Sequence, residues 1–197
     1  DANSVSPQSP YTNSDHAATG IVEAVCQAEA DWNPGTNFLV LVNDGTYHLT
    51  NQITITKSII LRSVNGQSNT FINGNYPAAT NRCVEITGNA TFEGFTITNG
   101  CTMGAAPLNR GGGLYAHGCT VTVTACTFAW NRACWTNGEG GYGGGVALVS
   151  SVVSMADCLI ATNTVDPFGD GTTSEAGAGI YVSACSGLIR DCVVSNN

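Results

Sequence analysis

The sequence predicts an all-β chain folded as a right-handed parallel β-helix, a solenoid of about five coils, with a capping α-helix at its N-terminus. A glycine-rich unit recurs at 111–131, 143–163 and 177–197. Within each unit the apolar residues alternate with period two, which is typical of strands. The asparagines that close the units recur at a nearly constant interval. An interval of this length is typical of repeat architectures, and no helical pattern fills these units.

The closing asparagines define the repeat. They are evenly spaced along the chain, at Asn65, Asn99, Asn131, Asn163 and Asn197. Stacked coils place equivalent residues above one another at the strand spacing of about 4.8 Å. We therefore expect an asparagine ladder along one corner of the solenoid. For Asn65 and Asn99 the alternative is a position one residue away from the ladder, because the apolar alternation beside them leaves their phase relative to the other three asparagines open.

A cysteine precedes each of the last three asparagines at the same distance in sequence: Cys126, Cys158 and Cys192. These cysteines are expected to form a stacked file. Two interpretations stay open: they are small buried hydrophobic residues, as free cysteine usually is, or two of them form a disulfide across the coil spacing. Elsewhere, Cys101 and Cys134 follow ladder asparagines in adjacent loops and are the favoured disulfide pair.

The N-terminal part of the chain differs from the repeats. Residues 1–14 are polar and are expected to be extended. Residues 15–31 have an apolar face with helical spacing, with Ser14 or Asp15 as the N-cap, which predicts an amphipathic capping helix. Such a helix would cover the bore and the exposed strand edge of the first coil. The β-helix itself is predicted over 38–197.

Three long loops leave the repeats directly after their asparagines, at 100–110, 132–142 and 164–176. Because they leave the same corner of successive coils, we expect them to be neighbours. Aromatic rings beside carboxylates suit a sugar ring or a calcium ion, whereas the alternative is that the aromatic rings fix the loops to the solenoid. The candidate ligand-binding residues in these loops are Trp135, Tyr142, Asp166, Phe168 and Asp170.

Composition excludes several classes of function. Only 10% of the residues are charged and the net charge is −8, which argues against binding to nucleic acid or to an anionic membrane surface. No long apolar run predicts a membrane-spanning helix. The three histidines are scattered and no CxxC pair occurs, so we predict no metal site and no cofactor. Nine cysteines and little charge indicate a secreted or cell-surface protein in an oxidising compartment.

The repeat motifs resemble those of a known family. The glycine-rich motif at 111–114 and the FxxN motif at 128–131 are similar to the repeats of chlamydial polymorphic outer membrane proteins. The likeness covers 94–197, although Ile160 and Val194 stand where later copies of the motif would have Phe. This resemblance implies a surface-exposed adhesin. The stretch at 42–66 looks like secreted pectate-lyase-like β-helix proteins, which implies action on polysaccharide.

We expect a non-enzymatic extracellular structural or adhesive subunit that displays its loops and associates end to end into a fibre. The chain has few charges and no recognisable catalytic set, and it stops at the ladder residue Asn197 without a helix over the last coil. A solenoid normally caps such an end, and a contact between unlike ends generates filaments. Residues 1–14 are expected to reach across the joint as an added strand.

The alternative is a secreted protein that binds or cleaves polysaccharide. Glycoside hydrolysis requires two carboxyl groups on either side of the scissile bond. Glu85 and Glu93 fall within one coil, and Asp157 and Asp191 are in register, although both pairs are equally compatible with an ordinary outward-facing surface. No catalytic residue is therefore assigned.

Overall fold

The chain forms a parallel β-solenoid with a single helix near its N-terminus, as predicted from the sequence. The structure, a computed structural model, describes residues 1–9, 11–13, 16–134, 140–165 and 176–197. The named strands pair in parallel, and the sheets run the length of the solenoid. The three main sheets contain six, six and five strands, which differs slightly from the expected five coils.

Each regular coil contributes one strand to each main sheet. Sheet A consists of β1 (Phe38–Val42), β4 (Ile59–Ser63), β7 (Ala90–Glu93), β11 (Thr120–Thr124), β15 (Val152–Ala156) and β19 (Ser186–Arg190). Sheet B consists of β2 (Gly45–His48), β5 (Thr70–Asn73), β8 (Thr96–Thr98), β12 (Thr127–Ala129), β16 (Leu159–Ala161) and β20 (Val193–Ser195). Sheet C consists of β3 (Ile53–Ile55), β6 (Val84–Ile86), β10 (Leu114–His117), β14 (Val146–Val149) and β18 (Ile180–Ser183).

The alternating apolar residues fill the space that these sheets enclose. In sheet A, Val123 pairs with Phe92 of the preceding coil and with Met155 of the following coil, and all three are inaccessible or nearly so. The outward residues that precede them on these strands are Thr or Ser. Because the period of two is in phase from coil to coil, one continuous hydrophobic core runs along the solenoid.

The single helix, α1, spans Ile21–Asp31 and begins later than the predicted start at residue 15. Gly20 has an extended backbone and serves as the N-cap, and its N–H donates to the Glu23 carboxylate at 2.9 Å. The missing side chain at Gly20 leaves room for that carboxylate to return to the backbone. Ile21, Val25 and Ala28 are buried, and the helix packs against β1 and β3. The helix therefore closes the first coil, as predicted.

Asp1 and Ala2 contact the solenoid's own first coil and the residues that precede α1. The amino group of Asp1 donates to Ala18 O at 2.7 Å, and Asp1 Oδ2 accepts from Asn43 Nδ2 at 3.1 Å. The Ala2 N–H donates to the hydroxyl oxygen of Tyr47 at 3.2 Å. The start of the segment that was expected to be extended is thus held against the first coil by Ala18, which precedes α1, by Asn43 between β1 and β2, and by Tyr47 on β2.

The three loops begin side by side. A fourth sheet, sheet D, consists of β9 (Cys101–Met103), β13 (Arg132–Cys134) and β17 (Thr164–Val165). The loops also return in register, since Tyr142 forms parallel bridges with Arg110 and with Ala176. This pairing confirms the prediction that the loops leave one corner of successive coils.

Candidate functional site

Only one of the five predicted ligand-binding residues lies within the described part of the chain. Trp135, Asp166, Phe168 and Asp170 lie outside it. Tyr142 is half-buried, and its ring centroid lies 4.9 Å from that of Tyr181. The Arg110 guanidinium lies 5.9 Å from the centroid of the Tyr142 ring. This aromatic pair stands where the loops rejoin sheet C, and both rings are partly open to solvent.

Asn131, Asn163 and Asn197 stand above one another at the corner after sheet B. The Asn131 N–H donates to Asn163 Oδ1 at 3.0 Å, and the Asn163 N–H donates to Asn197 Oδ1 at 2.9 Å. Their side-chain amides repeat the link at 3.1 and 2.9 Å. The Oδ1 atoms of Asn163 and Asn197 thus each accept two hydrogen bonds from the preceding coil. These bonds satisfy polar groups that are buried at this corner.

Asn99 is out of phase with this ladder by a single position. The pairing of β9 with β13 places Gly100 beside Asn131, and the Gly100 N–H donates to Asn131 Oδ1 at 2.9 Å. Asn99 instead takes the preceding position, which has a positive φ of 53°, like the 60° of Trp130 in the next coil. Asparagine tolerates this left-handed conformation well, so the residue fits the turn rather than the ladder.

Asn65 belongs to a different corner. It follows β4 of sheet A, whereas the ladder follows sheet B. Its side chain is exposed, and Nδ2 donates to Asp44 Oδ1 at 3.0 Å. The even spacing between Asn65 and Asn99 is therefore a coincidence of loop lengths in the irregular early coils.

The last glycine of each repeat motif faces a ladder asparagine, and Gly113 and Gly145 also face a backbone oxygen of the following coil. A Cβ atom at Gly145 would lie 2.9 Å from the Asn163 side chain, which is too close for a carbon atom. In the earlier coil the small and the large residue change places: Gly100 occupies the ladder position, and the larger Cys83 occupies the position of the facing glycine. The other two asparagines of the ladder face Gly113 and Gly179 in the same way.

Cys126, Cys158 and Cys192 form the predicted file, at the corner between sheets A and B. The register of β11, β15 and β19 continues through them, so the three side chains lie in one row along the solenoid. Each thiol also donates to a carbonyl oxygen of the residue before the turn, at 3.1 to 3.2 Å. The residue between donor and acceptor has a positive φ in each case. These cysteines therefore bracket a tight turn in addition to filling space.

The surroundings of the three thiols shift their pKa values in different directions. Burial raises the pKa of Cys126 well above its usual range, and burial also raises the pKa of Cys192. The hydrogen bond from Cys126 instead lowers the pKa of Cys158, helped by a second from Cys192. Of the three thiols in this file, only Cys158 has a lowered pKa.

A second file, at the corner between sheets C and A, was not found from the sequence. It consists of Cys119, Ser151 and Cys185, which recur at the same intervals as the ladder asparagines. The Ser151 hydroxyl donates to Val149 O at 2.8 Å, and Cys185 Sγ donates to Ser183 O at 3.4 Å. The sequence did contain a signal for this file, since Cys119 and Cys185 are separated by two repeat lengths. It was missed because Ser151 occupies the equivalent position in the coil between them.

The nine cysteines, all within the described residues, form no disulfide bond. This corrects the expectation for Cys101 and Cys134. Cys101 pairs with Arg132, and Cys134 pairs with Met103, so the two cysteines are offset along adjacent strands. Their side chains hydrogen-bond, which raises the pKa of Cys101 together with burial. The offset adds about 6.6 Å along the strands, which places the backbones too far apart for a disulfide.

A buried arginine organises the outer face of sheet C. Arg82 Nη1 lies 3.4 Å from Glu85 Oε2, and the guanidinium lies 4.8 Å from the ring centre of Tyr115. Its Nε and Nη2 donate to three loop carbonyl oxygens at 3.0 to 3.2 Å, those of Pro107, Arg110 and Gly111. Burial lowers the pKa of Arg82, and the nearby Glu85 carboxylate opposes that effect. This arginine therefore fixes the first long loop on the sheet.

His117 completes the cluster around Glu85. Its ring stacks on that of Tyr115 with centroids 4.9 Å apart, and Nε2 lies 3.9 Å from Glu85 Oε1. A cavity of about 280 Å³ opens beside the cluster, lined by Arg82 together with Asn51, Thr80, Asn81, Thr102 and Leu108. The Thr102 hydroxyl is buried there without a hydrogen-bond partner among the described residues. The lining suits a small polar molecule with several hydroxyl groups.

The structure places the two carboxylate pairs considered for hydrolysis differently. Glu85 is on β6 of sheet C, whereas Glu93 is on β7 of sheet A and pairs with Arg62 at 2.7 Å. Asp157 and Asp191 occupy exposed positive-φ corner positions, and Asp191 pairs with Arg190 at 2.6 Å. Glu85 and Glu93 thus lie on different sheets, whereas Asp157 and Asp191 are in register on adjacent coils as an exposed surface pair.

Comparison with family models, with curated proteins and with solved structures finds no match to this chain. Among the described residues, no group of three or more His, Cys, Asp or Glu side chains is arranged to hold a metal ion. The same part of the chain contains no helix with the length and hydrophobicity needed to span a bilayer.

Proposed function

We propose that the protein is a non-enzymatic structural module of the cell surface or extracellular space that displays its loops and binds a second copy through its last coil. The observation that carries this proposal is the exposure of apolar residues in that coil. Val182, Ile189 and Val194 are 49%, 39% and 54% exposed. Their equivalents in the preceding coil, Leu148, Met155 and Ile160, are 0%, 1% and 0% exposed.

The backbone of the same coil supports association. Among the described residues, β18, β19 and β20 each pair with a neighbour on one side only. Proteins usually protect such edges with charged side chains or a covering element. Between residues 176 and 197 the only charged side chains are Arg190 and Asp191, and these two neutralise each other. A surface of unpaired edges around an apolar centre favours pairing with another strand edge.

The opposite end favours a dimer over a fibre. α1, Asp1 and Ala2 pack on the first coil, whose inward residues Val40, Tyr47 and Ile53 are buried, unlike the inward residues of the last described coil. Two last coils related by a twofold axis present identical edges to each other, and their strands would pair in antiparallel fashion. An interface of this kind closes after two copies, whereas the fibre expected from the sequence would require displacement of the N-terminal cap.

Sedimentation of the wild-type protein and two variants tests this proposal. Ile189→Lys places a charge in the open coil and should convert the dimer to a monomer, because the charge would be buried without a partner. Val152→Lys is the matched control, since Val152 is also apolar and exposed but lies on an outer face. It should remain dimeric. A monomeric wild type, or a dimer that Ile189→Lys leaves intact, would refute the proposal.

Electron microscopy separates a dimer from a fibre. The proposed twofold joint gives rods of two solenoid lengths that stop growing with concentration. Longer rods with an axial repeat of one solenoid length would show that the N-terminal cap is displaced, and they would replace the twofold joint with a head-to-tail one.

The second candidate function is polysaccharide binding, favoured by the cavity beside Arg82. Amide and hydroxyl groups from Asn51, Thr80 and Thr102 line it, and these groups recognise sugar hydroxyls. Titration calorimetry with neutral and acidic oligosaccharides should detect binding that Asn51→Ala weakens, while product analysis should detect no cleavage. Binding that Asn51→Ala and Thr80→Ala both leave unchanged would exclude this cavity as the site.

A further inference from the structure

The cavity beside Arg82 contains a buried polar group that the described protein does not satisfy. Thr102 lines this cavity and is only 5% exposed, and its hydroxyl has no hydrogen-bond partner among the described residues. Native structures rarely leave a buried hydroxyl in this state, because its desolvation is not compensated. Thr102 is the middle residue of β9, where pairing with Ala133 fixes its backbone. The hydroxyl is therefore held at the cavity wall, where a bound molecule can satisfy it.

The walls of the cavity are fixed by hydrogen bonds within the chain. The Cys101 N–H donates to Asn81 O at 2.8 Å, which joins two of the lining residues. On another side, Arg82 Nη2 donates to Pro107 O at 3.0 Å, and Pro107 directly precedes the lining residue Leu108. A ligand does not have to order these segments when it enters, which lowers the entropic cost of binding.

The cavity has no cation available for an acidic ligand. Among the described residues that line it, Arg82 alone has a charged side chain. Its Nε and Nη2 donate to loop carbonyl oxygens, its Nη1 donates to Gln52 Oε1 at 3.3 Å, and Nη1 lies 3.4 Å from Glu85 Oε2. All three nitrogens are thus engaged, and Glu85 balances the charge. A carboxylate in this cavity would lose its water without gaining a counter-charge, which is costly.

The size and lining of the cavity suit one sugar ring. Its volume of about 280 Å³ equals that of roughly nine molecules of liquid water, which holds one pyranose with its hydroxyl groups but not a disaccharide. Asn51, Thr80 and Thr102 provide amide and hydroxyl groups that can exchange hydrogen bonds with those of the ring. Met103 and Leu108 provide partly exposed apolar surface for its C–H groups.

We propose that this cavity binds a single neutral sugar ring and discriminates against the corresponding uronic acid. The inference rests on the second candidate function above and specifies which class of sugar the site accepts. The Thr102 hydroxyl bonds to a hydroxyl group of the ring. The ring is a free monosaccharide or the last residue of a longer glycan, and the interaction makes and breaks no covalent bond.

Titration calorimetry of the wild type tests the preference for neutral sugars. The ligands are the methyl glycosides of glucose, galactose and mannose, each paired with the methyl glycoside of its uronic acid. At least one neutral glycoside should bind with one site per chain, and its acidic counterpart should bind at least about tenfold more weakly. Equal or tighter binding of the acidic form would overturn the inference and leave polysaccharide binding standing. If no ligand of the series binds, the inference and the second candidate function both fail.

Substitutions at Thr102 test whether the cavity is the site. Thr102→Val replaces the hydroxyl with a methyl group of similar size and should weaken binding of the neutral glycoside about tenfold, whereas Thr102→Ser should retain most of the affinity. Thr122→Val, on the outer face of sheet A, is the matched control and should bind like the wild type. Thermal unfolding checks that each variant folds. Unchanged binding in folded Thr102→Val would overturn the assignment to this cavity, and the wild-type titration does not depend on this variant.

A trisaccharide of the preferred neutral sugar distinguishes the two sources of the ring. An affinity equal to that of the methyl glycoside identifies the end of a glycan as the ligand, because one ring enters the cavity and the others remain in solvent. Loss of binding identifies a free monosaccharide, and it would count against polysaccharide binding while the inference stands. An affinity that rises with each added ring would overturn the limit of one ring.

Discussion

Ile160 and Val194 occupy the same position in two neighbouring coils, yet Ile160 is inaccessible to solvent and Val194 is about half exposed. The N-terminal end shows the opposite situation, because α1 covers the first coil. Sequence pattern alone makes these positions equivalent. The difference teaches that an inward orientation buries a side chain in a solenoid only when another layer lies on both sides of its coil.

The largest effect is expected at the covered end. Val25→Asp places an unpaired carboxylate on the buried face of α1 and should lower the free energy of unfolding by at least about 4 kcal/mol. Cys26→Asp is the matched control, since Cys26 is exposed on the next position of the same helix. Urea denaturation of the two variants measures the difference. If Val25→Asp costs no more than Cys26→Asp, α1 does not hold the first coil closed.

The two equivalent positions should differ in stability as they do in burial. Ile160→Ala removes a fully packed side chain and should cost about 3 kcal/mol. Val194→Ala should cost less than about 1 kcal/mol, because its side chain is already half in solvent. Chemical denaturation at a protein concentration that keeps the chain monomeric compares them. Equal costs would mean that the last coil is covered in solution.

A buried asparagine of the ladder and an exposed asparagine outside it should also differ in their contribution to stability. Asn163→Ala leaves the Asn131 N–H and two carbonyl oxygens without partners and should cost about 2 kcal/mol. Asn65→Ala removes one exposed contact and should change stability by less than about 0.5 kcal/mol. Thermal unfolding followed by circular dichroism suffices to rank the two. Similar losses would place Asn65 in the ladder after all.

The smallest effect is a dependence on alkaline pH. Burial raises the pKa of Cys83 from 9.0 to about 12. Because the folded-state pKa is the higher one, stability is fully present below pH 9 and falls as the pH rises toward 12, with a loss on the order of 1 kcal/mol at pH 10. Cys83→Ala should flatten this decline more than Cys192→Ala in the open coil. Parallel pH profiles for wild type and Cys83→Ala would show that Cys83 ionises without cost.

The sequence alone was sufficient to predict those features whose residue pattern repeats from coil to coil. The period of the asparagines and the alternation of apolar residues predicted the solenoid, and the file of Cys126, Cys158 and Cys192 followed from the same register. Asn99 was ambiguous because an asparagine suits both the ladder position and the positive-φ position before it. Only the strand pairing decides between these, and pairing is a property of the stacked coils.

The rest depended on contacts between segments that no periodicity connects. The helix starts at Ile21 because Glu23 returns to the Gly20 backbone, although the apolar spacing continues upstream. Arg82 is an isolated charge in the sequence, but the loop carbonyls and the Tyr115 ring bury it. The second corner file was concealed by Ser151, which replaces a thiol with a hydroxyl of similar size and the same hydrogen bond.

The fit between Gly145 and Asn163 has a consequence for how such a chain can evolve. Both residues belong to one repeat, as do Gly113 with Asn131 and Gly179 with Asn197. A gene duplication that copies one whole repeat therefore carries both members of the pair together, and the new coil needs no compensating mutation to accept its own asparagine. The ladder bonds and the strand pairing cross the junction, and each repeat offers the same backbone and asparagine donors and acceptors. The solenoid can thus lengthen or shorten by whole coils in a single genetic event.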